Sequence, residues 1–560
     1  MIPPAHPKLL TAFRTACLAT VVILCTLGAV VVWADEPTVR YPSYPPLAMD
    51  AAAPASSSDA APPAPPSTSQ GSAQNGAGNA QPDGNPPGPA TPEGEKPATD
   101  KEKEKGREGE KADEGDKEKK PDEQAEAEAK LWNFHVQATT VAQGDPPFPA
   151  QYSGPNSLNN AGERQETLAA DLFIGRRMWD GAEMHLDALM WQGFGLSQSF
   201  GIEAFPNADA YKAGTTIPDF MVARWFVRQT FGLGGEQEDI HEDQLNFAGK
   251  EDISRLTLTV GRFTPTDMFD NNTYAHDAHT QFLNWAMCTN LTWDYPSDSV
   301  GYTTGLAMEL NQPDWTWRYG WFQMPGEMNG FTADDRIFKW PSEVDDGEFW
   351  KSWGMMSELE RRYKIDGHPG AIRFMTWLDS ADFASFAVAT ALLRASPPVN
   401  PSQGAGSTIP YAAFAYRTKY GFGVNWEQEI CKNLGVFSRF GWNDGHEVAW
   451  TYTDANWSAS LGTSIKGECW CRPNDVVGLA GALSGASREQ QEFLQAGGTG
   501  ILNGDGNLSY DCEKVLETYY DFAIGKSAHF AMDYQFVADP AFNRDRGPVS
   551  IFAIRLHFEQ

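Results

Sequence analysis

The feature that most narrows the fold is a two-residue alternation, clearest in the final stretch Val549-Ser550-Ile551-Phe552-Ala553-Ile554-Arg555-Leu556-His557-Phe558. Read as an extended strand, Phe552, Ile554, Leu556 and Phe558 share one face, while Ala553, Arg555 and His557 share the other. A soluble sheet hides its apolar face in a core and wets the polar one. A membrane barrel inverts this, with apolar residues toward lipid and Arg or His toward a watery lumen. One strand fits both arrangements, so recurrence has to decide.

The alternation recurs. Glu183, His185 and Asp187 oppose Met184 and Leu186; Arg224 and Arg228 oppose Ala223, Trp225 and Val227; Arg255 opens a similar run, Arg255-Leu256-Thr257-Leu258-Thr259-Val260. Trp315, Trp317, Tyr319 and Trp321 line up against Arg318, as an interfacial aromatic girdle would. Asn425 and Glu427 oppose Val424 and Trp426, Arg439 and Asn443 oppose Phe440 and Trp442, and Asp533 and Gln535 oppose Phe530, Met532, Tyr534 and Phe536. A soluble sandwich would have to bury all those aromatics and still accommodate repeated Arg opposite them. The pattern therefore predicts an all-β transmembrane antiparallel barrel. Val260-Gly261-Arg262-Phe263 breaks parity, which suggests a bulge or a mispaired register. The one clear helical signal is Ser487 to Gly497, with a Ser487/Gln490 capping box and a glycine stop.

The ends of the 560-residue chain differ from its body. Residues 1–34 read as an export signal: Lys8 and Arg14, an apolar run from Ala16 to Val32, and Val32-Trp33-Ala34 as a cleavage site. Residues 35–99 are rich in Pro, Ala, Ser and Gly, with too few large apolar residues to fold, and 100–130 form a Lys/Glu-rich charged linker. The ordered body is expected from 131 to 560. A net charge of -31 without an extended basic patch excludes a nucleic-acid partner. A mean hydropathy of -0.45 excludes a bundle of membrane helices but not a barrel.

Signals for chemistry are weak. After the leader, Cys288, Cys431, Cys469, Cys471 and Cys512 remain, and in an exported chain a loop disulfide of Cys469 or Cys471 with Cys512 outweighs a metal site. His276-Asp277-Ala278-His279 and Gly504-Asp505-Gly506-Asn507 read as loop and turn before metal or calcium sites. Glu358 and Glu360 are spaced as a glycosidase pair could be, but with Arg361 and Arg362 alongside they read as an ion-pair ladder. No nucleophile elbow, P-loop or dinucleotide fingerprint occurs. The expectation is a non-enzyme with no cofactor and no metal.

Several short blocks resemble the carbohydrate-selective porins of the OprB type, in that family's order. They are Leu434 to Gly445, Arg472-Pro473-Asn474-Asp475-Val476-Val477-Gly478-Leu479, Gly504-Asp505-Gly506, Glu513 to Tyr520, Asp533-Tyr534-Gln535 and Asn543 to Val549. Phe282-Leu283-Asn284-Trp285 and the opening Trp132 to Leu158 add to them, so the likeness covers Leu131 to Phe558. It implies an outer-membrane barrel of about sixteen strands passing small sugars down their gradient. Two departures stand out: two residues follow Phe558, and the long N-terminal extension lies outside the family pattern.

On this reading the lumen-parity residues Glu183, His185, Asp187, Arg224, Arg228, Arg255, Asn425, Glu427, Arg439, Asn443, Asp533, Gln535 and Arg555 are the candidate pore-lining and sugar-binding set. The partners expected are small sugars and outer-membrane lipid, with the extension in the periplasm as a candidate for cell-wall contact and the barrel a candidate homo-oligomer. The alternatives are a secreted β-rich protein that binds or hydrolyses polysaccharide, and a barrel whose main role is envelope tethering.

Overall fold

The computed structural model of the chain describes residues 131–210, 214–326, 328, 351–395 and 409–560. The leader (1–34), the low-complexity stretch (35–99) and the charged linker (100–130) lie outside the described residues.

The alternating segments become strands of one closed antiparallel barrel. Its wall begins with β1 (Trp132–Asp145), β2 (Glu163–Trp179), β3 (Ala182–Gly193) and β4 (Thr215–Gly232). A separate two-stranded hairpin follows, β5 (Gln237–Ile240) with β6 (Gly249–Asp252). The wall resumes with β7 (Arg255–Phe263), β8 (Thr303–Asn311), β9 (Trp315–Gln323), β10 (Trp353–Ile365), β11 (His368–Ala381) and β12 (Arg417–Cys431). It ends with β13 (Leu434–Asn443), β14 (Trp457–Gly467), β15 (Arg472–Gly485), β16 (Glu513–Ile524), β17 (Ala528–Ala538) and β18 (Val549–Glu559). Leaving out the hairpin, sixteen strands form the wall.

Closure runs from Gln137 opposite Glu559 to Gly144 opposite Phe552. Val136 and Gln560 exchange backbone hydrogen bonds of 2.9 and 3.0 Å, so the two residues beyond Phe558 lengthen the seam. A closed ladder leaves no strand edge unpaired, which hydrocarbon would penalise heavily. The inverted alternation holds: Phe552, Ile554 and Leu556 are exposed on the outside of β18, while Ala553, Arg555 and His557 are buried.

The parity break in β7 has a different cause from an inserted residue. Pairing with β4 and β8 is unbroken through Arg262, but Gly261 takes φ +143°, where a Cβ would meet the Trp225 carbonyl at 2.3 Å. Arg262 and Phe263 are then both buried, with the guanidinium 2.6 Å from Asp298.

Turns and loops divide between the two ends. Six turns of two to four residues join β2–β3, β8–β9, β10–β11, β12–β13, β14–β15 and β16–β17 at one end, where the chain also enters β1 and leaves β18. Asp366-Gly367, with φ +52° and +87°, is the two-residue solution for the tight β10–β11 turn. Long connections occupy the other end, among them 146–162, 194–210, 264–302, 444–456 and 486–512. They supply most of the large buried aromatics, including Phe205, Phe282, Trp285, Trp293, Tyr452 and Phe493. Trp285 stacks on Phe205 at 4.8 Å and Tyr452 at 5.7 Å. The expected loop helix forms at Arg488–Gln495, where the Ser487 hydroxyl accepts from Gln490 N at 3.1 Å and Gly497 follows at φ +85°.

The expected cysteine pairing is corrected by register. Cys469 and Cys471 lie at the β14–β15 turn, whereas Cys512 precedes Glu513, which pairs with Ser484 at the opposite end of β15. The fourteen residues of β15 intervene. At ~3.3 Å per residue they span roughly 40 Å, whereas bridged Cα atoms lie within about 7 Å. All five described cysteines are free.

Candidate functional site

The lumen-facing charges assemble into a ladder along one wall. Arg318 on β9 donates to Glu309 on β8 at 2.6 Å, and to Glu358 and Glu360 on β10 at 2.8 and 3.0 Å. Arg373 on β11 donates to Glu360 at 3.0 Å and to Glu427 on β12 at 3.4 Å. Arg362 also donates to Glu360, at 2.8 Å, while Arg361 points outward to Asp314. Glu358 and Glu360 are therefore rungs between arginines, as the sequence suggested; Arg361 takes no part.

Against this wall the 264–302 connection folds into the lumen. The Arg224 guanidinium donates to both Asp267 oxygens at 2.8 Å and to Asp187 at 2.7 Å. Asp270, at φ +58°, accepts from Arg439 Nε at 2.9 Å, Asn425 Nδ2 at 2.7 Å and Asn290 N at 2.7 Å, while its own N–H donates to Glu358 at 2.8 Å. Glu427 accepts from the Thr273 N–H and hydroxyl at 2.7 and 3.0 Å. Farther round, Arg555 donates to the carbonyls of Ala278 and Gln281 at 2.8 and 2.7 Å, and Asn443 donates to that of Thr292 at 3.0 Å. Gln535 reaches Pro206 O at 2.8 Å and accepts from Asn284 at 3.0 Å. Charge-assisted bonds in a water-poor setting are the strong ones, so this loop is a fixed constriction.

Within it, His279 lies 3.0 Å from Asp209 and 3.1 Å from Asp277 and stacks on His557 at 5.6 Å. Burial works against its proton, but Asp277 and Asp209 outweigh that and hold His279 well above the usual histidine range. The imidazole pairs with one oxygen of each acid, so His279 and Asp277 form an ion pair within the His276 to His279 stretch. Among the described residues no group of three or more His, Cys, Asp or Glu is gathered to hold a metal.

Between the constriction loop and the wall of β3, β4 and β7–β9 a cavity of about 230 Å³ stays open. Three arginines (Arg228, Arg255, Arg318) and four carboxylates (Glu183, Glu251, Asp267, Glu309) supply its charges, and Phe226, Phe247 and Phe263 its aromatic faces. Three of the thirteen candidate residues thus border it: Glu183, Arg228 and Arg255. The other ten lie on the lumen side as wall anchors. Asp187, Arg224, Asn425, Glu427, Arg439, Asn443, Gln535 and Arg555 hold loops; Asp533 accepts from Gln535 at 3.0 Å, and His185 stacks on Phe226 at 5.0 Å. Alternation could not reveal that loops would cover them. It did mark Arg318, opposite its row of aromatics; Glu309 in Met308-Glu309-Leu310 carried the same signal, whereas Asp267, Met268 and Asn271 sit in a loop with no period to read.

Comparison with known proteins agrees with this architecture. The family profile "Carbohydrate-selective porin, OprB family" matches residues 155–559. The high-pH structure of Pseudomonas putida OprB superposes with a TM-score of 0.57 at 15% identity, covering 78% of this chain and 96% of that one. The low-pH structure of the same protein (TM-score 0.40, 12% identity, 79% and 97% covered) and the outer membrane channel DcaP of Acinetobacter baumannii (0.40, 9%, 77% and 97%) also match. No curated protein sequence matches significantly. The family match spans most of the folded body, and the chain belongs to the OprB family of carbohydrate-selective porins.

Proposed function

We propose that this outer-membrane porin passes single small, neutral sugars down their gradient between the 264–302 loop and the β3–β9 side of the lumen, with no reaction on the way. The observation that carries this is the mixed lining of the cavity, where three arginines stand among four carboxylates beside Phe226, Phe247 and Phe263. A sugar hydroxyl both donates and accepts, so neighbouring guanidinium and carboxylate groups can replace its water, and aromatic faces suit the C–H faces of the ring. The groups are already paired with one another, which keeps sugar binding weak enough for release. The same pairing engages Glu358 and Glu360 and argues against a hydrolytic role for them. In planar bilayers, adding a monosaccharide to the open channel should lower its ion current in a saturable way. A current indifferent to every sugar would count against a sugar path.

Bacterial barrels keep short turns on the periplasmic side. The N-terminal extension joins the barrel at the short-turn end, which supports a periplasmic position for residues 1–130, read as leader (1–34), spacer (35–99) and charged linker (100–130). Protease digestion of intact cells should leave the extension uncut, and digestion of permeabilised cells should remove it. Its contact with the cell wall, and association of barrels through their apolar faces, extend the same reading; cross-linking in the native envelope tests both.

A further inference from the structure

The β5–β6 hairpin sits at the short-turn end, where the other connections between wall strands are brief, and its tip turns back into the barrel. Asn133 on β1 donates to the carbonyls of Asp243 and Asn246 at 2.9 and 3.0 Å. Arg177 on β2 donates to Ala248 O at 2.7 Å and covers the Phe247 ring at 4.8 Å. His185 on β3 packs against that ring at 5.7 Å, and Arg228 on β4 donates to Leu245 O and Asn246 Oδ1 at 2.9 and 3.0 Å. At Gly175 on β2 a Cβ would meet Phe247 at 3.1 Å, so the wall is pared back where the ring seats. Arg255 on β7 grips both strands of the hairpin, through Glu238 at 2.6 Å and Glu251 at 3.1 Å. Four neighbouring strands thus hold the tip on their lumen faces.

The tip borders the cavity described above. Leu245, Asn246 and Phe247 face it from the short-turn side, and Asp267, Met268 and Asn271 of the constriction loop face it from the long-loop side. On the wall between them Thr259 is buried, and its hydroxyl has no hydrogen-bond partner among the described residues. A buried hydroxyl without a partner costs free energy that a visiting hydroxyl would recover. We propose that the hairpin tip, Leu245 to Phe247, is a second, inner constriction. A sugar ring that has passed the 264–302 loop dwells in the chamber beside Thr259, and the tip sets which rings leave it. This rests on the sugar-porin reading and adds a specificity element at the opposite end of the path.

The test uses the full-length protein in bilayers and liposomes, comparing wild type with Leu245→Trp, Phe247→Ala and Asn133→Ala, each checked for a heat-modifiable gel mobility. Leu245→Trp adds bulk to the chamber and should lower single-channel conductance at least threefold, and monosaccharide-driven swelling by more. Phe247→Ala removes the ring that seats the tip and should raise conductance about twofold while erasing the preference for mono- over disaccharide. Asn133→Ala releases the tip without altering a residue that borders the cavity, and should change conductance in the same direction as Phe247→Ala. It serves as the opening variant if Phe247→Ala fails to fold. Folded variants with wild-type conductance and sugar preference would overturn the inner constriction and leave the porin reading standing. A wild type that conducts ions but admits no sugar would overturn the porin reading as well.

Discussion

Arg439 and Arg228 share a residue type, a barrel and a face, yet they have different roles. Arg439 is buried, its guanidinium spent on Asp270 and on the carbonyls of Asp270 and Met287. Arg228 keeps part of its surface on the open cavity while it holds the hairpin tip. The same contrast separates two sides of the lumen: the named residues of β11–β18 hold loops in place, whereas β3, β4 and β7–β9 border the cavity, with Asp187 and Arg224 among them also holding a loop. Strand parity decides which side of the wall a residue takes, and loop packing decides whether water or sugar can reach it.

Removing a loop anchor should have the largest effect. Asp270→Ala would strand the buried Arg439 charge, a loss of about 3–5 kcal/mol for a broken buried pair. The expected outcome is rapid hydrogen exchange across 264–302 and a several-fold rise in conductance, with the barrel still heat-modifiable. A second cut compares the two faces of one strand. Ile554→Arg places a guanidinium on the outside of β18, next to Arg555 on the inside, and should destabilise the barrel by about 2–4 kcal/mol if it lies near the bilayer midplane. Urea unfolding in lipid vesicles measures this, and equal cost at a lumen position would contradict the assignment of faces.

A smaller effect belongs to the open side. Three arginines and four carboxylates line the cavity, so reversal potentials in a salt gradient should show weak charge selectivity in the wild type despite its acidic sequence. Arg255→Ala should shift this toward cations by about twofold in permeability ratio, a bias worth roughly 0.4 kcal/mol. The smallest effect is that of pH on the loop. His279 is held protonated above its ordinary range, so its contribution is complete below about pH 6.5 and is lost as pH rises through the higher folded value. Exchange of the 276–283 amides should quicken on the alkaline side, and His279→Gln should flatten that dependence.

Much of the wall was legible in the sequence, because lipid outside and polar groups inside impose a period on every strand. That period located β18, β17, β13, β12, β4 and β3 and put Arg555, Arg439 and Arg228 on the lumen side. It carried no information on loops. Asp270 acts through a left-handed backbone position, and Phe247 through a hairpin that turns back on its own barrel; neither leaves a local pattern. The Cys512 pairing failed for a related reason, since sequence distance says nothing of which end of a strand a residue reaches. Gly261 shows the reverse case, where a break in the period was visible and only its cause was missing.

The proposed sugar path depends on an inward loop that narrows a wide barrel to the passage of single sugar rings. Liposome swelling by purified full-length protein, over a series of neutral sugars from mono- to trisaccharide, tests it most directly. Fast swelling with monosaccharides and a steep fall with each added ring is the expected result. Swelling independent of sugar size, or none from a protein that is folded and membrane-inserted, would contradict it.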